Sequence, residues 1–367
     1  MQYTVEARAD GAGRVVHLAG RVTDEVFSFL GPATDALARS GVEQAVVMID
    51  DARFRRLLAR FHGSVQLVLT GAERNPIRHW RHSLGAFRHA MHAKPLRAVH
   101  LHGLMAALTG AHVARAAGVD ASLYYSPHGA LLLRVPGRFG PLLHRAAHRF
   151  SGAARQRAIA NLADARALGA LGNADVGWVE RPLAAEFFEQ PRAEERFPLI
   201  VTGSARGHPR HADVFAQMAV LLSCEDLGLS FQWIGSADAD ARLRLAAAGV
   251  AVHDVRDDRE RAARLAPGWV YLAPDGMRGF PLFLVHAMAV GLPAVAIDTP
   301  YHRNVIRHGE TGFLCRTQSE MLDAVAALID APALRRQVGE AARCEARRRF
   351  SEPNFRDALL AAYDLSR

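Results

Sequence analysis

Lysine is almost missing from this chain. Lys94 is the only one among 45 basic residues, so nearly all of the positive charge is arginine. An anion held here by a cationic side chain therefore meets a guanidinium, whose planar fork can bind phosphate or carboxylate oxygens two at a time. Cysteine is scarce too: Cys224, Cys315 and Cys344 are widely spaced and odd in number. That argues against a disulfide framework and a zinc site, and makes a reducing cytoplasm the expected compartment. Long apolar runs are also lacking. The longest, Phe280 to Ile297, contains His286 and is cut by Gly291 and Pro293, so it reads as a buried helix and strand, not a membrane span. The first residues carry acids and no apolar core, and no signal peptide is expected. Gly-x-Ser-x-Gly, Walker-type Gly-Lys-Ser and His-Glu-x-x-His motifs are missing, as are short repeats and low-complexity tracts.

What is present is a globular chain of 367 residues, half of them apolar, with a net charge of +8. This length suits two domains, each with its own core. The arginines are scattered and no basic motif is interleaved with aromatics, which argues against nucleic acid as a partner. Attraction to anionic nucleotide sugars, or peripheral contact with an anionic membrane, accounts for the sign equally well. The His-rich stretch from His79 to Lys94 has no Cys or carboxylate to complete a metal site and reads as a basic surface.

Short apolar runs alternate with helical patterns, the signature of doubly wound parallel sheets. Strands are expected at Val15 to Ala19, Gln44 to Ile49, Ser64 to Leu69, Ala98 to Leu101 and Ser122 to Tyr125. Helices are expected from Pro32 to Arg39 and from Leu104 to Ala117. A second series begins with a strand at Leu199 to Thr202, a loop from Gly203 to His211 and a helix from Ala212 to Cys224. Strands at Phe231 to Ile234, Val250 to His253 and Trp269 to Ala273 follow. The expected division is 1–185 for a first domain, a charged linker at 186–198, 199–348 for a second domain, and a last helix in 349–367 returning to the first.

The stretch from Trp269 to Leu314 is the most informative. A strand leads into a loop holding Asp275, Gly276 and Gly279, Pro281 opens a helix, and Gly291 with Pro293 ends it before the strand Ala294 to Ile297. Such a unit points backbone N–H groups and a positive dipole end at the carboxyl edge of a sheet, where phosphate binds well.

The segment "RGFPLFLVHAMAVGLP" (278–293) resembles the donor-binding signature of retaining glycosyltransferases of family 4, in which two Glu residues eight positions apart flank a Gly-Phe-Pro and an "EAMAxGxP" helix. Arg278 and His286 stand at the two Glu positions. "VHLHG" (99–103), "SPHG" (126–129), the stretch 201–217 and "RHGETGFL" (307–314) resemble further motifs of that family in the same order. The resemblance implies a GT-B fold, two Rossmann-like doubly wound parallel-sheet α/β domains facing a central cleft. It also implies transfer of a sugar from a nucleotide-diphosphate donor, with retention and no essential metal or other cofactor. A glycan or lipid-linked acceptor in bacterial surface polysaccharide synthesis is the role it suggests.

Carried onto this chain, the family pattern makes Gly20 the approach to the diphosphate and Arg210, with Gly203, Ser204 and Arg206 in the same loop, its cradle. Gly279, Phe280, Pro281 and Leu282 form the backbone lip of the donor site. His128, after a strand end and between Pro127 and Gly129, corresponds to a histidine that contacts the donor sugar, whereas His102 reads as structural. Asp24 and Glu25, expected in the loop after Gly20, are the acids early enough to face an acceptor. Two readings stand for His286, a ribose hydroxyl acceptor or a core histidine. Two stand for Arg278, a contact to the diphosphate or a uronic acid, or the mark of a site that lost its chemistry and serves as a binding or scaffold subunit.

Overall fold

The computed structural model describes residues 13–20, 22, 24–71, 76–93, 95–128, 156–160, 176–193, 196–204, 209–225, 227–276 and 280–365. It divides into two compact units, one of residues 1–181 with 355–367 and one of residues 182–354. Each is an α/β unit with an all-parallel sheet, as the expected fold class requires.

The first unit's strands are β1 (Arg14–Ala19), β2 (Gln44–Ile49), β3 (Gln66–Thr70), β4 (Leu96–His102), β5 (Ser122–Ser126), β6 (Gln156–Ala160) and β7 (Val176–Trp178), in the order β3-β2-β1-β4-β5-β6-β7. β1 is buried along its length and alternates its two faces. Val16 and Leu18 meet Phe87, Leu101 and Ala111. On the other face Val15 lies with Phe29, Leu37, Phe355, Leu359 and Tyr363. The C-terminal segment is therefore part of this core.

The helix expected from Pro32 runs from Asp24 to Arg39, with Pro32 inside it. Proline in a helix interior costs about 3 kcal/mol, but burial of Phe27, Phe29, Leu30, Ala33 and Leu37 on the sheet offsets it. Asp24 and Glu25 accordingly open a helix, where a loop was expected. The helix Leu104–Ala116 crosses the sheet closely at Gly110, where a Cβ would stand 2.7 Å from Leu101 Cδ2 and 2.8 Å from Leu18 Cδ2.

The second unit's strands are β8 (Leu199–Ser204), β9 (Ser230–Gly235), β10 (Val250–His253), β11 (Val270–Ala273), β12 (Ala294–Ile297) and β13 (Phe313–Cys315), in the order β10-β9-β8-β11-β12-β13. The expected linker at 186–198 is corrected here. Its charged sequence hides Phe187 and Phe188 in a short helix, Glu186–Glu189, and both rings are buried in this unit's core. Helix Leu282–Val290 is apolar on all sides, as a fully enclosed helix must be, and ends at Gly291 with φ 94°. Gly339 of helix Pro332–Phe350 lies against it, since a Cβ there would stand 2.4 Å from Gly291 O.

Candidate active site

Parallel sheets bind ligands at the carboxyl ends of their strands, and in the second unit β8 and β11 are neighbours. β8 extends two residues past its expected end, so Gly203 and Ser204 are still strand, and Ser204 is buried. Glycine is forced at 203: a Cβ would stand 2.5 Å from Ile234 O and 2.6 Å from Phe283 Cδ1. Gly235, at φ 115°, passes Ser204 O so closely that a Cβ would stand 2.2 Å away. The chain then enters helix Pro209–Ser223 with Arg210 in its first turn.

Arg210 Nε lies 3.5 Å from Asp275 Oδ1, just past the end of β11. The guanidinium is 78% exposed and the carboxylate 5%. A pair this asymmetric contributes little to stability, but it tethers one edge of the arginine fork and leaves the rest to solvent. Asp275 was read from the sequence only as a loop residue, because nothing local shows that a neighbouring strand brings Arg210 to it. His302 also lies near this acid. Burial lowers its pKa, the Asp275 charge partly opposes that, and its Nδ1–H donates to Ile297 O at 2.6 Å.

Phe280, Pro281 and Leu282 lead into helix Leu282–Val290, whose start carries no side-chain cap. Phe280 also packs edge-on against Phe350 at 5.8 Å. His286 lies inside the unit, stacked on Phe187 with ring centroids 4.0 Å apart and planes 9° apart. Arg206, Arg278 and Gly279 lie outside the described residues.

The first unit holds the other two expected residues, Gly20 after β1 and His128 after β5. Gly20 faces Trp80, whose ring would be 3.0 Å from an added Cβ. His128 adopts φ 55°, rare for a residue with a side chain. Its ring stacks on His102 at 5.1 Å and 16°, and its Nε2 lies 2.9 Å from His102 Nδ1. Behind it is a group the sequence reading largely missed. His17 and His100 are register partners on β1 and β4, and His102, two residues on, shares their face. The alternation in "VHLHG" was the available signal.

All four rings are held neutral. Burial lowers His17 to about 4 against a mild opposing effect from Gln44, and lowers His128 to about 3 with help from the Arg181 charge. Burial, then neighbouring histidines, bring His100 and His102 well below the usual value.

Comparison with known proteins bears on the second unit. Residues 197–331 match the family described as Glycosyl transferases group 1. A phosphatidyl-myo-inositol mannosyltransferase of Mycobacterium leprae is 34% identical over 139 residues, which is 36% of this chain and 36% of that protein. The chain thus spans about a third of that relative in the match. Among solved structures, Anabaena HepE in complex with UDP and glucose aligns with a TM-score of 0.70 at 15% identity, over 96% of this chain and 99% of that one. Sucrose-phosphate synthase of Thermosynechococcus elongatus aligns with a TM-score of 0.70 at 14% identity, over 96% and 98%. At those identities the likeness is one of fold, and the fold is GT-B. The group 1 match and the GT-B fold together support the reading of a glycosyltransferase.

Proposed function

We propose that the protein is a retaining glycosyltransferase that takes a nucleotide-diphosphate sugar and passes the sugar to a glycan or lipid-linked acceptor in bacterial surface polysaccharide synthesis. The observation that carries this is the group 1 match over residues 197–331, the segment in which the carboxyl ends of β8 and β11 hold Arg210. Loss of a diphosphate leaving group builds negative charge, and cations or helix N-termini already in place stabilise it without reorganising. In the second unit Arg210 takes that role, with the start of helix Leu282–Val290 presenting N–H groups. No metal is required by this arrangement. The mannosyltransferase relative and the UDP-bound neighbour favour a hexose on a nucleoside diphosphate.

His286 supports a second reading, a nucleotide-sugar-binding or scaffold subunit. The family resemblance expects a carboxylate at that position, and here an imidazole is stacked on Phe187. Thermal unfolding of the full chain against a panel of nucleoside diphosphates and their sugars separates the readings. A ligand at one hundred times its dissociation constant adds about 2.7 kcal/mol. Absence of any shift across the panel rejects the transferase and the nucleotide-sugar-binding subunit alike and leaves only a scaffold. Stabilisation with sugar release to an acceptor or to water supports the transferase, and stabilisation without any release supports the subunit.

A further inference from the structure

Residues 74–119 contain seven Arg and Lys side chains and no Asp or Glu, in a chain whose net charge is +8. The charge imbalance of the molecule is thus gathered in one stretch of the first unit. Helix Pro76–His92 carries much of it. Its buried side chains Ser83, Phe87, Ala90 and Met91 fall on one side, and the last three share a core with Ala106, Ala111 and Ala114 of helix Leu104–Ala116. At 3.6 residues per turn, the exposed Arg78, Arg81, His82, Arg88, His89 and His92 all lie within about 120° of arc on the opposite side. Gly85 is the one other exposed position among the described side chains of this helix. Half-buried Trp80 ties the two helices together, its Nε1–H donating to Thr109 Oγ1 at 2.9 Å. The second helix adds exposed Met105, His112 and Arg115 and likewise contains no acid.

We propose that the outer face of helices Pro76–His92 and Leu104–Ala116 is a docking surface for an anionic lipid bilayer. The spacing of the charges favours this partner. A helix of 17 residues is about 25 Å long, and basic side chains run along it from Arg78 to His92. Charges strung along an outer face meet an extended anionic surface, not a single small anion. Arginine suits lipid phosphates, whose oxygens its planar fork can take two at a time.

Met105, 56% exposed at the start of its helix, supplies an apolar side chain able to enter the boundary between headgroups and acyl chains. No exposed described residue of the two helices is aromatic, so the bases of a nucleic acid would find no stacking platform here. On the transferase reading, docking of this kind brings the enzyme to a lipid-linked acceptor. The docking itself does not depend on that reading, because every residue in it lies in the first unit, away from Arg210.

Flotation of the full-length protein with lipid vesicles tests this. The protein is expected to float with vesicles of phosphatidylcholine and phosphatidylglycerol, to stay behind with phosphatidylcholine alone, and to be released as salt screens the contact. An arginine near an anionic surface contributes about fivefold to partitioning. Arg78→Gln, Arg81→Gln and Arg88→Gln together are therefore expected to weaken binding roughly a hundredfold. Arg256→Gln, Arg316→Gln and Arg336→Gln together remove the same charge from exposed positions of the second unit, and are expected to weaken it by about threefold or less. All six side chains are exposed, so both variants are expected to keep the wild-type urea midpoint. If the first variant does not fold, peroxide footprinting of the wild type takes its place, with Met105 expected to be shielded from oxidation by the mixed vesicles. Failure of the wild type to bind mixed vesicles, equal loss in the two variants, or Met105 oxidised as fast on vesicles as off them would overturn the proposal. So would binding to polyglutamate as tight as to the vesicles, which would assign the face to an acidic polymer. Flotation involves no nucleotide, so it can fail while donor binding stands, and the reverse.

Discussion

At Arg210 and His17, function and stability make opposite demands on burial. Arg210 is 78% exposed and held by one carboxylate, so removing it costs the fold little while taking away a phosphate contact. Hydrogen bonds to charged groups contribute about 1.5 to 3 kcal/mol, so Arg210→Ala is expected to weaken nucleoside diphosphate binding about tenfold or more with the melting temperature unchanged. Calorimetric titration checks this, and an unchanged affinity removes Arg210 from the diphosphate site. His17 is fully buried and lowered to about 4 from 6.5. Between those values the unfolded chain takes up a proton that the folded chain refuses, so stability is lost as pH falls through that window. Urea midpoints are expected to drop between pH 6.5 and 4, with His17 contributing on the order of 3 kcal/mol and His100 and His102 adding in the same direction. A His17→Phe variant whose midpoint falls just as steeply would show that this ring is not the source.

Elements were legible in the sequence where one physical signal dominated. Helix Leu282–Val290 was readable from Pro281 before it and Gly291 after it, and the parallel strands from their unbroken apolar runs. The first helix was not, because Pro32 is a strong local stop signal and only the tertiary burial of Phe27 and Phe29 overrides it. The linker reading failed for the converse reason: charges at Glu186 and Glu189 flank two phenylalanines that the core claims. At the candidate site, the place of a residue next in sequence to a strand end was legible, whereas Asp275 beside Arg210 and His17 beside His100 depend on strand order and register. β8 carries the clearest test at this scale. Gly203 has no room for a methyl group between Ile234 O and Phe283. Gly203→Ala is therefore expected to cost about 1 to 3 kcal/mol through overpacking, read as a lower urea midpoint with an unchanged slope. A variant as stable as wild type would mean that β8 and β9 separate more easily than this packing allows.

For the molecule as a whole, chain order and domain membership do not coincide. The chain leaves the first unit after Arg181, builds the second, and returns from Phe355 onward. Phe355, Leu359 and Tyr363 are buried with Val15, Phe29 and Leu37, so the last helix completes a core begun by the first strand. Tyr363 also supplies the hydroxyl that bonds His100 Nδ1. Burying a large apolar side chain contributes about 1.5 to 3 kcal/mol, and a domain is stable by only about 5 to 15 kcal/mol. Ending the chain after Asn354 removes three such side chains and an internal donor from the first unit. The second unit, whose described core cluster draws on residues from Leu183 to Phe350, keeps its packing. Hydrogen exchange followed by mass spectrometry on this truncated chain is expected to show protection lost throughout β1, β4 and β5 and retained in β8, β11 and β12. If nucleoside diphosphates bind through the second unit, the truncated chain also retains their stabilising effect there. Loss of protection in both units together would mean that they fold as one cooperative body, and the last helix would then support the whole molecule and not the first unit alone.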